Sequence, residues 1–220
     1  MKRLIIAIDG PSGAGKGTVA RATAANLGYR HVDSGAMYRA VGWKALREGV
    51  ALDDEASVVQ LAERAHIVMS DLTTTIDGED VSHAIRTPEI DRAAASVARL
   101  PAVRTILVAR QRELGAGGGI VMEGRDIGTV VFPDADVKLY LDASAEERAR
   151  RRAHDPAHHG GPEKVSDVAT LLTERDRLDT TRAASPLYAA ADAIVIDTTG
   201  KKVEEVVAEV MVIVREKLSS

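Results

Sequence analysis

The stretch that decides the fold is Leu4–Thr18, which reads LIIAIDGPSGAGKGT. Its first part, Leu4–Ile8, is a short apolar run without polar alternation, typical of a strand buried on both faces of a parallel sheet. The glycine-rich part leads into residues 16–27, which the sequence predicts to be a helix ended by Gly28. A glycine-rich turn between a buried strand and a helix can surround a polyphosphate with backbone N–H groups and the positive helix end. The stretch therefore predicts a nucleotide-binding α/β domain.

Within this loop, Lys16 is expected to reach the outer phosphates of the nucleotide. The position after this lysine usually carries Ser or Thr as a Mg²⁺ ligand, but here it is Gly17, with Thr18 next. Regulatory GTPases depend on that hydroxyl and on an asparagine-containing base-reading element, and the only asparagine is Asn26, so this class is excluded. The predicted nucleotide-binding residues are Gly10, Pro11, Ser12, Gly13, Ala14, Gly15, Lys16, Gly17 and Thr18.

Further strands and helices alternate along the chain, which predicts a parallel sheet covered by helices on both faces. Residues 66–87 interrupt this order: two short strand candidates precede Asp77 and Gly78, a pair typical of a two-residue hairpin turn. We expect a small antiparallel insertion there, with helices from about Pro88 onward. Residues 154–162 form a second irregular segment. The predicted strands are 29–32, 119–122, 137–141 and 193–196, and the predicted helices are 34–48, 144–152 and 202–217.

Composition limits the possible functions. The 220 residues are 45% hydrophobic and 28% charged, which suits one globular domain with a small insertion. A net charge of −4 and only 3% aromatic residues argue against nucleic acid as a partner. The absence of cysteine excludes disulfides, thiolate zinc sites and thiol nucleophiles. No apolar run approaches the roughly 18 residues of a membrane span, so we expect a cytoplasmic protein without a membrane partner.

A second group of candidate residues follows two other predicted strands. Ser34 and Arg39 come after strand 29–32, and Arg125 and Asp126 come after strand 119–122. Open parallel sheets bind ligands at the carboxyl ends of their strands, so these side chains are expected to meet there. Each also has a simpler reading: Ser34 as a helix N-cap, Arg39 as a surface residue, and Arg125 with Asp126 as a local ion pair or turn.

Arg175, Asp179 and Arg182 stand at i, i+4 and i+7, a spacing that places them on one face of a helix. Two guanidinium groups beside a carboxylate could bridge phosphates and hold ribose hydroxyls. The arginine run formed by Arg148 and residues 150–152 is read either as a solvated helix face or as part of the same positive surface.

The sequence resembles the bacterial cytidylate kinases along nearly its whole length. The resemblance lies in Ile8–Thr18, Asp33–Arg39 (DSGAMYR), Gly124–Pro133 (GRDIGTVVFP) and Arg175 with Asp176, in family order. It implies a three-layer P-loop kinase core with a central parallel sheet, a nucleoside-monophosphate-binding insertion over about 66–100 and a helical lid over about 154–182. It also implies ATP-dependent phosphorylation of CMP and dCMP by a monomer, with Mg²⁺ carried by ATP through water rather than by protein ligands.

The same resemblance implies roles for individual residues. Ser34, Arg39 and Arg125 would contact the monophosphate, and Arg104 and Asp126 would read the cytosine edge. Arg175 and Asp179 would hold the sugar, and Arg182 would reach the phosphates being joined. The predicted catalytic residues are accordingly Lys16, Arg125 and Arg182. One departure is Ala95, where the family commonly has a serine, so base recognition either uses the adjacent Ser96 or lacks one hydrogen bond.

Two other functions stay open on the sequence. A P-loop kinase for UMP, AMP or a non-nucleotide acceptor would share the phosphate loop, and a nucleotide-binding module would bind ATP without turnover. Asp9 is read either as a carboxylate near Mg²⁺ or as a strand-end residue. His154, His158 and His159 are expected to lie in a solvated loop, since their spacing does not suit a metal site.

Overall fold

The computed structural model describes residues 3–70, 73–159 and 164–219. Its central sheet contains β1 (Ile5–Asp9), β2 (Arg30–Asp33), β6 (Ile120–Gly124), β7 (Val137–Asp142) and β8 (Ile194–Asp197). The strands lie in the order β2-β6-β1-β7-β8, and every neighbouring pair is parallel. The predicted parallel α/β sheet is confirmed, and each predicted strand is found within two residues of its expected ends.

Helices follow the strands and cover both faces of the sheet. On one face, Ile6 and Ile8 of β1 pack with Val19 and Val210 from the first and last helices. On the other face, the alternate residue Ala7 belongs to a cluster that reaches the fifth helix. The three layers therefore follow from the two-residue period of the strands. The helices are α1 (Lys16–Leu27), α2 (Ser34–Glu48), α3 (Glu55–Arg64), α4 (Pro88–Val97), α5 (Pro101–Gly115), α6 (Ala145–Ala153), α7 (Val165–Thr181) and α8 (Val203–Ser219).

The small antiparallel insertion is also confirmed. It contains β3 (Ile67–Met69), β4 (Thr74–Ile76) and β5 (Glu79–Asp80), paired in that order. Asp77 and Gly78 connect β4 to β5 with φ values of 52° and 83°. Both values lie in the left-handed region that a two-residue hairpin turn requires. Strand β5, which is only two residues long, and helix α3 were not predicted from the sequence.

Helices α6 and α7 pack together through a small apolar cluster of Ala149, Val168 and Leu172. The irregular segment predicted between them is described only up to His159, and its residues 160–162 lie outside the described part of the chain. No helix in the described ranges is long and apolar enough to cross a membrane.

Candidate active site

A cleft of about 880 Å³ opens at the carboxyl ends of β1, β2 and β6. The phosphate loop forms one side of it, and residues from α2, α5 and α7 form the other. Gly10 and Pro11, at the start of the loop, are buried. Every other predicted site residue lines this cleft, so the structure brings together residues that lie more than 150 positions apart in the sequence. These lining residues are Ser12, Gly13, Ala14, Gly15, Lys16, Gly17, Thr18, Ser34, Arg39, Arg104, Arg125, Asp126, Arg175, Asp179 and Arg182.

The phosphate loop needs glycine at two positions for steric reasons. Gly10 has φ of 145°, and a Cβ there would lie 2.0 Å from the carbonyl oxygen of Leu141. Gly13 has φ of 81°, and its Cβ would lie 2.8 Å from the carbonyl oxygen of Arg148. Because backbone atoms cannot move aside as flexible side chains do, larger residues would displace the loop. The glycines therefore form the turn that curls the loop above the start of α1.

Lys16 is the buried cation of this loop. Its Nζ donates a hydrogen bond of 2.7 Å to the carbonyl oxygen of Pro11, and the residue is 6% exposed. Burial, followed by the positive charge of Arg125, lowers the pKa of Lys16 to about 7. A polyphosphate bound in the loop would place negative charge beside the ammonium group and raise this pKa again.

Asp9, at the end of β1, holds the segment that carries Arg125 and Asp126. Its Oδ1 accepts a hydrogen bond from the backbone N–H of Ile127 at 2.8 Å, and its Oδ2 accepts one from Gly128 at 2.7 Å. Burial raises the pKa of Asp9 to about 6 against the effect of these two bonds. Ile127 begins a π-helical turn, Ile127–Val131, directly after the two site residues. Asp9 thus acts as a strand-end residue that fixes this turn.

Arg104 and Asp126 form a buried pair at one end of the cleft. Nη2 of Arg104 hydrogen-bonds to Oδ2 of Asp126, and both side chains are less than one-tenth exposed. Nε of Arg104 donates to the hydroxyl of Ser185 at 3.3 Å, and its guanidinium lies 5.4 Å from the ring centre of Tyr38. A guanidinium next to a carboxylate offers donors and acceptors in one plane, which suits the edge of a nucleobase.

Arg125 and Asp126 do not pair with each other, although they are adjacent in sequence. Nε of Arg125 donates to Oδ2 of Asp179 at 2.9 Å, and Nη1 of Arg182 lies 3.4 Å from Oδ1 of the same carboxylate. Burial raises the pKa of Asp179, but Arg125, Arg175 and Arg182 outweigh it and lower the pKa overall. The Asp179 carboxylate therefore stays ionised between the two predicted catalytic arginines.

Arg182 lies just past the helix and not on its face. Helix α7 ends at Thr181, and Arg182 has extended backbone angles of −64° and 142°. The prediction of three residues on one helical face is therefore wrong for Arg182, although its side chain still reaches Asp179. Nη2 of Arg182 is buried without a hydrogen-bond partner among the described residues and lies 4.0 Å from Oδ1 of Asp126.

Arg39 and Arg175 both contact Asp91, a residue that the sequence analysis did not single out. Nε of Arg39 lies 3.2 Å, and Nη1 of Arg175 lies 2.8 Å, from Oδ1 of Asp91. Arg39 also donates from Nη1 to Asp33 at 3.2 Å. Arg175 therefore does not pair with Asp179, its neighbour at i+4. Asp91 carried no signal in the sequence beyond that of an acidic residue in the first turn of a helix.

For two hydroxyl groups, one of the alternatives left open by the sequence is not found in the structure. The N-cap of α2 is Asp33, whose carboxylate accepts from the N–H of Ala36 at 3.1 Å, whereas Ser34 donates from its hydroxyl to the carbonyl oxygen of Glu123 at 2.7 Å. Ser96 does not take the place of the family serine in the cleft. Its hydroxyl donates to the carbonyl oxygen of Arg92 and lines a separate cavity of about 500 Å³, while Ala95 lines both cavities.

Two of the three histidines, His158 and His159, are also placed differently from the expectation of a solvated loop. His154 is exposed, but the side chain of His158 is only 9% exposed, and Nε2 of His158 lies 3.5 Å from Asp91. The ring of His159 stacks on that of His83 with 3.9 Å between centroids. These contacts join the segment after α6 to the insertion.

Of the arginine run Arg148 and residues 150–152, one member lies on a solvated helix face and the others contact residues at or near the cleft. Arg150 is solvated, with a side chain 60% exposed. Arg148 donates to the carbonyl oxygen of Ser12 in the phosphate loop at 3.2 Å, and Arg151 donates to Thr198. Arg152 pairs with Asp91.

Glu123 is a further site residue without an assigned role in the sequence analysis. A Cβ on Gly17 would lie 2.9 Å from its Oε1, so the absence of a side chain at residue 17 lets this carboxylate approach the start of α1. Its Oε1 also lies 3.3 Å from Nε2 of His31. In the described ranges, no group of three or more His, Cys, Asp or Glu side chains is arranged to hold a metal ion.

Comparison with known proteins agrees with this geometry. The sequence profile of the family described as cytidylate kinase matches residues 6–216. A cytidylate kinase from Pelotomaculum thermopropionicum is 52% identical over 207 residues, which cover 92% of this chain and 92% of that protein. A cytidylate kinase from Solibacter usitatus is 47% identical over 221 residues, covering 100% of this chain and 95% of that protein.

The similarity to a solved structure supports the fold but says nothing about the function. An uncharacterized protein from Eubacterium ventriosum has a TM-score of 0.55 at 11% identity, with 98% of this chain and 99% of that chain covered. The sequence relatives show the family, whereas this structural similarity shows only the fold. The match over residues 6–216 and the identity of about half of all positions lead to one conclusion: the chain belongs to the cytidylate kinase family.

Proposed function

We propose that this protein transfers the γ-phosphoryl group of ATP to the 5′-phosphate of CMP and dCMP, forming CDP and dCDP. The observation that carries the proposal is the meeting of three features in one cleft: the glycine loop with Lys16, the Arg104–Asp126 pair, and the buried N–H groups of Arg175 and Arg182. Buried donors without protein partners are rare, and in a cleft they are typical of groups that bind a ligand.

The phosphate loop supports the ATP end of the reaction. Its backbone and the start of α1 would bind the β- and γ-phosphates, and Lys16 would neutralise their charge. Mg²⁺ carried by ATP would neutralise further phosphate charge. The Glu123 carboxylate beside Gly17 is of the oxygen type that Mg²⁺ prefers, and we assign it to the water ligands of that ion.

The acceptor end is supported by the arginines on the other side of the cleft. Arg39 and Arg125 would bind the phosphate of CMP, with Ser34 beside them once its hydroxyl leaves the carbonyl of Glu123. Arg175 and Asp179 would contact the sugar. Arg182 would bridge the two phosphates, with Nη2 as the donor, which has no hydrogen-bond partner among the described residues.

The Arg104–Asp126 pair is proposed to select cytosine. A carboxylate accepts from the exocyclic amine of cytosine, and a guanidinium donates to the ring nitrogen and carbonyl. Uracil presents a carbonyl in place of that amine, and this carbonyl would face the Asp126 carboxylate without a proton between them. Ala95 supplies no hydroxyl in this part of the cleft, so recognition depends mainly on the pair.

Catalysis by such a site is mainly positioning and charge neutralisation. The acceptor phosphate is already ionised at neutral pH, so the reaction needs no general base. The lid is proposed to be the segment of about 154–182, with residues 66–100 as the acceptor-binding insertion, and lid closure would keep water from the γ-phosphate. A monomer located in the cytoplasm stays a prediction from the resemblance and the composition.

The test is a coupled assay with ATP, Mg²⁺ and one acceptor at a time. We expect turnover with CMP and dCMP and a much lower kcat/KM with UMP and AMP. Turnover that is fastest with UMP or AMP would replace cytosine as the specificity, and ATP binding without turnover of any monophosphate would point to a nucleotide-binding module.

A further inference from the structure

Asp91, in the first turn of α4, is the point on which three arginines and a histidine converge. Its Oδ1 lies 3.2 Å from Nε of Arg39 and 2.8 Å from Nη1 of Arg175. Its Oδ2 pairs with Nη2 of Arg152 and lies 3.5 Å from Nε2 of His158. The Asp91 side chain is 13% exposed, so this carboxylate is largely shielded from water.

This carboxylate is a permanent anion in the structure. Burial raises the pKa of Asp91, but Arg175, Arg39 and Arg152 outweigh it and hold the pKa far below its ordinary value. Burial lowers the pKa of His158 to about 4, so this ring is neutral at pH 7. Three guanidinium groups therefore share the Asp91 carboxylate, although Arg39 also lies 3.2 Å from Asp33 and Arg152 lies 3.9 Å from Asp155.

The carboxylate satisfies these arginines only in part. Nε of Arg175 is buried without a hydrogen-bond partner among the described residues. Arg39 divides its donors between Asp91 and Asp33. A phosphate carries more charge and more acceptor oxygens than a carboxylate, so it binds the same donors more strongly.

Arg39 and Arg175 are the side chains that the proposed function assigns to the phosphate and sugar of the acceptor. Resting on that function, we infer that Asp91 is an internal competitor of the acceptor. Its carboxylate holds Arg39 and Arg175 before CMP binds; the phosphate of CMP then takes Arg39, and Arg175 becomes free to contact the sugar. Asp91 is thus a positioning residue that sets acceptor affinity, and it does not contact the reacting atoms.

The same contacts join the insertion to the proposed lid. Asp91 belongs to α4, whereas Arg152 belongs to α6, Arg175 to α7, and His158 to the segment between them. Ala95, Arg152 and Arg175 line both the cleft and the neighbouring 500 Å³ cavity, so the Asp91 cluster lies at the wall between the two. Release of Asp91 would free Arg175 of the lid, and Arg152 just before the lid, when the acceptor binds.

The test compares Asp91→Asn with the wild type and with Glu89→Gln. Asparagine keeps the shape of aspartate but removes the charge, and Glu89 is an exposed carboxylate in the same helical turn. We expect Asp91→Asn to lower the KM for CMP by about fivefold to tenfold, because a larger fraction of the enzyme has free arginines. The kcat should change less than KM, and Glu89→Gln should leave both unchanged.

Cytidine separates competition for the phosphate from a general structural effect. Because cytidine lacks the phosphate but keeps the sugar that Arg175 would contact, its inhibition constant should improve much less than the KM for CMP in Asp91→Asn. A higher KM for CMP in Asp91→Asn, or an equal improvement for cytidine and CMP, would overturn the inference. If the variant does not fold, the CMP-bound structure of the wild type decides: Asp91 oxygens still within 3.2 Å of both Arg39 and Arg175 would also overturn it.

The proposed function is tested separately in the same experiment. Phosphorylation of CMP by the wild type tests the function, whereas the ratio of KM between variant and wild type tests only the role of Asp91. Absence of CMP turnover in the wild type would refute the function, and the role of Asp91 would fall with it.

Discussion

Replacement of Lys16 by methionine is expected to stabilise the unliganded protein while it abolishes phosphoryl transfer. Lys16 is 6% exposed, and burial, aided by the charge of Arg125, lowers its pKa from 10.5 to about 7. Methionine has a similar length and carries no charge, so it can occupy the same space. The variant therefore removes a destabilising charge that the proposed phosphoryl transfer requires.

The size of the gain follows from the pKa. A shift from 10.5 to about 7 corresponds to a cost of about 4–5 kcal/mol for burying the protonated amine. Because the folded state binds fewer protons than the unfolded state between these two values, stability rises with pH in that window, and at pH 7 most of the cost is present. Methionine also loses the hydrogen bond to Pro11, about 1.5–3 kcal/mol. The net gain is about 2 kcal/mol at pH 7, or roughly 4–8 °C in Tm for a chain of this size.

Thermal unfolding followed by circular dichroism without nucleotide measures this gain. The matched control is Lys138→Met: the Lys138 side chain is 8% exposed, but its Nζ lies 2.8 Å from Asp192, so this variant loses an ion pair and should not gain stability. The advantage of Lys16→Met should mostly disappear near pH 10, where the unfolded lysine also loses its proton. A Tm at or below that of the wild type at pH 7, or a gain independent of pH, would refute the reasoning.

Three further outcomes are expected. ATP binding should restore the charge of Lys16, with uptake of about half a proton at pH 7 and nearly one proton at pH 8. The Kd for ATP should therefore increase above pH 7. Calorimetry in two buffers of different ionisation heat measures the proton uptake, and an uptake of zero would contradict this prediction. Asp126→Asn should lower kcat/KM for CMP about tenfold relative to UMP, since the side chain that accepts a hydrogen bond from the cytosine amine is weakened. An equal loss with CMP and UMP would show that Asp126 does not select the base. Arg182→Ala should lower kcat by about 10³-fold. The matched control is Arg177→Ala, which removes an exposed arginine and should change kcat less than twofold. A loss below tenfold for Arg182→Ala would contradict its bridging role.

The central sheet could be predicted because its determinants are local. Short apolar runs identify the strands, and Gly28 and Gly49 end α1 and α2 with φ of 62° and 69°. The predicted ends of the strands were less accurate, because polar residues continue the backbone pairing between strands. In β6, Glu123 and Gly124 still pair with Ile8 and Asp9 of β1, although neither is apolar.

The π-helical turn after β6 could not be predicted, because its stabilising group is distant in sequence. Ile127–Val131 contains β-branched residues and a glycine, which do not indicate a helix on their own. Both oxygens of Asp9 bind the first two N–H groups of this turn, across 118 and 119 residues of chain. A sequence pattern can identify Asp9 as the end of a strand, but not its partner.

The partners of the arginines were the least predictable part of the site. The i+4 spacing of Arg175 and Asp179 favours a local ion pair, and the adjacency of Arg125 and Asp126 favours another. In the structure, Arg175 contacts Asp91 and Arg125 contacts Asp179, 54 residues away. Local spacing only brings charges within reach, whereas the tertiary neighbours determine which carboxylate each guanidinium contacts.

These pairings have a common electrostatic cause. A site for two highly charged phosphate ligands needs more positive charge than a protein interior tolerates when the ligands are absent. Here carboxylates accept hydrogen bonds from those arginines: Asp91 from Arg39 and Asp179 from Arg125. Since the bound phosphates would compete with these carboxylates for the same donors, the proposed substrate binding would be an exchange of anions, and the affinity would report the difference between the two.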